Sequence, residues 1–162
     1  MDIIITIACL ASALLFLALL FLIDLKTRLL PNKYVAGFFL SGLIFHAVNK
    51  FQFIAPLDML LGIISGAGLL LIIRYIANKI YKQDTLGLGD VKLMGAAGAW
   101  LGFEYIFLAL SLGAFAGLIH GFIYGRYKKI ELSKLSIPAG PAFIFGIIIV
   151  GIIKFQMLIT IL

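Results

Sequence analysis

Two aspartates are the residues of this chain best placed to do chemistry together. Asp90 stands in Leu86-Gly87-Leu88-Gly89-Asp90-Val91-Lys92-Leu93. Its two glycines let the backbone bend tightly and approach a neighbouring group closely. Residues 91–103 read as an apolar helix, which puts Asp90 near the N-cap, where free N–H groups and the positive dipole end meet a carboxylate. Asp24 closes an apolar run and leads into Leu25-Lys26-Thr27-Arg28-Leu29-Leu30-Pro31-Asn32. Two carboxylates brought together cannot both ionise easily, so one keeps a proton near working pH. The charged member can then activate a water while the protonated member donates to a scissile carbonyl. Taken singly, each has a plainer role: Asp90 caps its helix, and Asp24 pairs with Lys26 or Arg28.

Other polar residues offer less. Lys92, two residues after Asp90, could tune a nearby carboxylate or hold a phospholipid headgroup, and reads mainly as a snorkelling interfacial base. His120 and His46 read as packed histidines, and Cys9 as core. Asp2, Asp58 and Glu104 map to one face of the membrane, away from the two aspartates. Asp84 and Glu131 fall in basic loops, where they solvate. A single cysteine excludes an internal disulfide and a Cys-x-x-Cys zinc site. With no metal-ligand constellation, Gly-x-Ser-x-Gly or phosphate loop in the sequence, no cofactor is expected.

The elements that must position the aspartates are membrane helices. Hydrophobic residues make up 64% of the chain and charged residues 12%, with a mean hydropathy of +1.20. A soluble domain has about 45–50% and about 25%. The expected fold is an all-α polytopic membrane protein, one domain over residues 1–162, with about six transmembrane helices. Their expected spans are 3–23, 33–48, 56–74 with room to run on to Tyr81, 91–103, 105–125 and 137–153. The first is too long for a signal-peptide core and lacks a basic start and a cleavage site, so it reads as a retained helix. The fourth is the weak point, because thirteen residues rise only about 20 Å against a ~30 Å hydrocarbon core. A turn at 102–104, flanked by Trp100 and Tyr105 as interfacial aromatics, separates it from the fifth.

Charge supports that turn. Eleven of the thirteen basic residues then fall on one side, leaving Lys50 and Lys154 on the other. Running 91–125 without a turn would erase this bias. The positive-inside rule makes the basic side cytoplasmic and places both termini outside. Asp24 and Asp90, a return trip of two helices apart, then reach the same cytoplasmic edge. An ionisable residue there is a functional-site candidate. The net charge of +6 is a topology signal, with no aromatic-basic platform for nucleic acid. Glycines four apart, at 62 and 66, 98 and 102, and 113 through 125, read as seams for close helix packing.

At these residues the sequence resembles the type IV prepilin peptidases, aspartic membrane proteases of the G-x-G-D class. The resemblance rests on Asp24 ahead of Leu30-Pro31-Asn32, on Gly87-Leu88-Gly89-Asp90-Val91-Lys92-Leu93, and on Ile137-Pro138-Ala139-Gly140-Pro141, in the family's order from about residue 21 to 142. It implies Asp24 and Asp90 as the catalytic pair. Gly87, Gly89, Lys92, Pro31, Asn32, Pro138, Gly140 and Pro141 would shape the site or meet substrate. It also implies a multi-pass protein of the inner (cytoplasmic) membrane, working for type IV pili or related systems. Such a protein cuts the basic leader from a prepilin or pseudopilin, typically after a glycine, where the substrate's hydrophobic helix begins. Many bacterial members carry two Cys-x-x-Cys pairs that accompany methylation of the new N-terminus. This sequence has none and resembles the compact peptidase-only members, so methyl transfer is not expected. Ala139 departs from the aromatic residue common at its position.

The residues suit such a substrate without the family. A basic leader joined to an apolar helix would enter laterally among membrane lipids. It would unwind to present its carbonyl, with an extended peptide lying along Gly87 and Gly89. Three other readings stand beside this one. An intramembrane protease of presenilin type would want a deeper first aspartate in a Tyr-Asp pair and a Pro-Ala-Leu element. A small proton-coupled carrier would want acids near the midplane and an inverted repeat. A non-enzymatic scaffold would leave Asp24 and Asp90 apart.

Overall fold

The computed structural model describes residues 3–128 and 138–161. Among them the regular structure is entirely helical: α1 Ile3–Thr27, α2 Asn32–Val48, α3 Pro56–Tyr81, α4 Leu88–Lys128 and α5 Gly140–Ile161. Helices α1, α3 and α4 are long and apolar enough to cross a membrane, and the apolar stretch Gly140–Gln156 of α5 is shorter. The molecule is an integral membrane protein by these helices. Asp2, Lys129, Glu131, Lys134 and Ile137 lie outside the described residues.

Helix α4 is two legs, 88–101 and 103–128, joined at Gly102 with φ 73° and ψ −176°. That region of backbone space is open essentially to glycine alone. The chain reverses there. Gly66 of α3 lies against both Met94 and Ile106, which a straight helix would hold about 18 Å apart. The expected turn is therefore present, and α4 occupies the centre of the bundle, packed against α2, α3 and α5, with α1 resting on α2 and α5.

In lipid, where apolar burial drives association weakly, close backbone approach does the packing. A Cβ on Gly98 would run into the Gly62 backbone, and one on Gly146 into Ala109 and Gly113. These contacts join α3 to the first leg of α4, and α5 to the second. Between them lie fully buried Leu20, Phe38, Phe45, Leu93, Met94, Leu101, Ile106, Ile144 and Val150.

Several boundaries differ from expectation. Helix α1 runs on to Thr27 because nothing before Pro31 breaks it, so Asp24 lies inside its last turn. Arg28, at φ 55°, ends the helix with its N–H donating to the Asp24 carbonyl at 2.9 Å. Helix α3 continues to Tyr81 and stops at left-handed Lys82. Helix α4 begins at Leu88, making Asp90 its third residue rather than its cap. Helix α5 begins only at Gly140, with Pro141 in its first turn, where a missing N–H costs nothing.

Trp100 is buried, not interfacial. Its indole N–H donates to the Phe38 carbonyl at 2.9 Å, and Gly42 leaves room for the ring. Phe45, Phe155 and fully buried His46 surround it. Cys9 is buried, and His120 is exposed beside Tyr124.

Candidate active site

The last turn of α1 and the first turn of α4 bring Asp24 and Asp90 to the same end of the bundle. Both are buried, at 4% and 8% exposure, and they lie close enough for their charges to interact. Buried carboxylates are normally fully hydrogen-bonded. Here Asp24 Oδ2 and Asp90 Oδ1 are each buried with no hydrogen-bond partner among the described residues. Backbone lies close to both: Gly140, at the start of α5, packs against the Asp24 carboxylate, and Gly87 against that of Asp90. Asp90, the third residue of α4, thus folds its side chain back toward Gly87, the residue before the helix. The positive ends of α4 and α5 thus converge on the pair, and the Arg28 charge lies near Asp24.

Glycine serves here by its size. Neither Gly87 nor Gly89 has a positive φ; among the described glycines only Gly102 does. A Cβ on Gly140 would come within 2.6 Å of Asp24 Oδ2, and one on Gly87 within 3.0 Å of Asp90 Oδ2. On Gly89 it would come within 2.8 Å of the Leu30 Cβ. Gly89 is therefore occupied by the α1–α2 connection, and the expected tight bend is replaced by close approach. Pro31 is the N-cap of α2 in an extended conformation, and its carbonyl accepts from the N–H groups of Tyr34 and Val35. Asn32 opens that helix and accepts a hydrogen bond from Lys92 Nζ at 2.9 Å. The two sit at the mouth of a groove of about 410 Å³, lined otherwise by Val35, Ala36, Phe39, Ile63, Gly95 and Ala96. Pro138 is half-buried just before the start of α5, and the Ala139 carbonyl accepts from Ala142 and Phe143, both at 3.1 Å.

Sequence reasoning missed the brace under the glycine stretch. Arg74 of α3 donates to the Leu86 carbonyl and to Asp84 Oδ1 at 2.7 Å. Asn78, one turn on, donates to Asp84 Oδ1 and accepts from the Thr85 N–H and hydroxyl, each at 2.9 Å. Asp84, expected only to solvate its loop, instead ties residues 84–86 to α3 and so delivers Gly87. The available signal was Arg74 and Asn78, two polar residues four apart near the end of a largely apolar helix.

Fold and site define a helical membrane protein with a buried aspartate pair. The chain matches the Type IV leader peptidase family over residues 11–122, a stretch that holds both aspartates, and it belongs to that family. It is 30% identical over 140 residues to a prepilin leader peptidase/N-methyltransferase of Pectobacterium carotovorum subsp. carotovorum, covering 84% of this chain and 49% of the relative. Against the same-named protein of Legionella pneumophila it is 34% identical over 122 residues, 74% of this chain and 40% of the relative. Against leader peptidase HopD of Escherichia coli it is 34% identical over 127 residues, 76% of this chain and 78% of the relative. The chain thus spans about half the length, or less, of the first two. No solved structure matches it.

Proposed function

We propose that this protein is a membrane-embedded aspartic endopeptidase that removes the basic leader from prepilin-like substrates at the cytoplasmic face of the inner membrane. The observation that carries the reading is the buried pair Asp24 and Asp90, on separate helices at one end, each with an oxygen that has no hydrogen-bond partner among the described residues. One carboxylate takes a proton from water, whose oxygen attacks the scissile carbonyl carbon. The other, as the acid, gives its proton to the carbonyl oxygen. Collapse of the gem-diol breaks the C–N bond as the first carboxyl passes its proton to the leaving nitrogen and the second recovers one from a gem-diol hydroxyl, which restores the starting pair. The convergent N-terminal ends of α4 and α5 favour the negative charge that develops meanwhile.

The proposed topology is a single domain of six passes with both termini outside, which the reversal at Gly102 and the charge bias support. The substrate's leader stays in the cytoplasm while its hydrophobic helix enters from lipid. Pro31, Asn32, Lys92, Pro138 and Pro141 are proposed to shape the site around Gly87, Gly89 and Gly140. Activity as a peptidase alone, without methyl transfer, is supported by the fuller coverage of HopD, whose name is leader peptidase only. The test is cleavage of a leader-bearing prepilin in liposomes by wild type, Asp24→Asn, Asp90→Asn and Glu104→Gln. Loss with either aspartate variant and retention with the third is expected. Cleavage surviving either aspartate change would turn the pair into a structural or proton-relay element, as a carrier would have.

A further inference from the structure

The break in α4 at Gly102 leaves two helix ends inside one element. The leg 88–101 ends on carbonyls with no N–H ahead of them, and the leg 103–128 begins on N–H groups with no carbonyl behind. Two charged residues from two other helices meet these ends. Lys154 of α5 donates from Nζ to the Leu101 carbonyl at 2.6 Å. Asp58 of α3 accepts the Phe103 N–H at 3.0 Å. A cation thus sits on the negative end of one leg and an anion on the positive end of the next, as the helix dipole prefers. Gly102 leaves them room, since a Cβ there would run into the Asp58 carboxylate. Lys154 also lies over the Tyr105 ring, 4.8 Å from its centroid, so the same cation touches both legs.

This clamp is connected to the opposite end of the bundle. The leg held by Lys154 carries Asp90 at its start, about 18 Å from Gly102. The helix that supplies Lys154 is the one whose first residue, Gly140, packs on Asp24. Helix α5 therefore touches Asp24 at one end and grips the Asp90 leg at the other. We propose that Asp58 and Lys154 are positioning residues that fix the axial register of the 88–101 leg and so hold Asp90 level with Asp24. The importance of that register for cleavage rests on the reading of the two aspartates as a working pair. The register itself does not.

The test uses the full chain with Cys9→Ala, Asp24→Cys and Asp90→Cys, cross-linked in liposomes by a short thiol reagent. Its readout is independent of peptidase activity. Asp58→Ala and Lys154→Met should each slow cross-linking roughly two- to five-fold, the range a charge at a helix end is worth. Asp58→Asn keeps the hydrogen bond and loses the charge, so it should fall between Ala and wild type, while Lys154→Arg should match wild type. The exchanged pair Asp58→Lys with Lys154→Asp should be slower than either single change, because each charge would then face the wrong helix end. Recovery in the exchanged pair would make the two an ordinary ion pair and overturn the proposal. Unchanged rates in Asp58→Ala and Lys154→Met would also overturn it. Where Asp58→Ala does not fold, an unchanged rate in Asp58→Asn would overturn it equally. With the native aspartates restored, the same variants should lower kcat more than they raise KM. Slowed cross-linking with unaltered kcat would leave the clamp standing and count against the aspartate pair as catalysts.

Discussion

The two ends of the bundle use the same kinds of residue in opposite ways. At one end Asp24 and Asp90 are buried, near enough for their charges to interact, and each has an oxygen without a hydrogen-bond partner among the described residues. At the other end Asp58 and Lys154 each bond a backbone group freed by the break at Gly102. A satisfied charge at a helix end stabilises the fold, while an unsatisfied buried one costs stability and persists where something else requires it. The contrast sets a satisfied, structural end against the end proposed to do the chemistry.

The largest expected effect is at the pair. Asp24→Asn or Asp90→Asn should cut the cleavage rate by about three orders of magnitude, read in a liposome assay. Next comes Gly140→Ala, whose new methyl group would fall 2.6 Å from Asp24 Oδ2. Displacing a reacting group by about 1 Å costs about a hundred-fold, so kcat should fall by that order while helical content is unchanged. Gly102→Ala acts at the other end. It forces a side chain onto φ 73°, at a cost of about 1–3 kcal/mol, visible as a lower melting temperature in detergent. The smallest effect belongs to the brace under the glycine stretch. Arg74→Met removes the bonds to Leu86 and Asp84 and should cost about 0.5–1.5 kcal/mol of local stability, seen as faster hydrogen exchange over residues 82–87.

Much of this was legible in the sequence because membrane helices obey counting rules. The parity of helices between Asp24 and Asp90 places them on one face, and the distribution of basic residues demands the reversal that Gly102 makes. The glycine spacing announced the seams at Gly62, Gly98 and Gly113. What could not be read depends on partners far along the chain. Nothing local shows that Gly89 makes room for Leu30, that Trp100 seeks the Phe38 carbonyl, or that Arg74 holds the loop before Gly87. Helix ends were also obscure, because an unbroken apolar run carries no stop signal. Thus Asp24 proved to lie within α1, and Asp90 in the first turn of α4 rather than at its cap. Asp58 and Lys154, read as outer-face charges, gained their meaning only when the helix break was seen between them.

The most direct test of the contrast is to measure cleavage and melting temperature together for Asp90→Asn, with Asp58→Asn alongside. Asp90→Asn is expected to abolish cleavage while melting at or above the wild-type temperature, and Asp58→Asn to melt lower. An Asp90→Asn protein that still cleaves, or that loses activity only because it melts well below wild type, would contradict the division between a working end and a structural one.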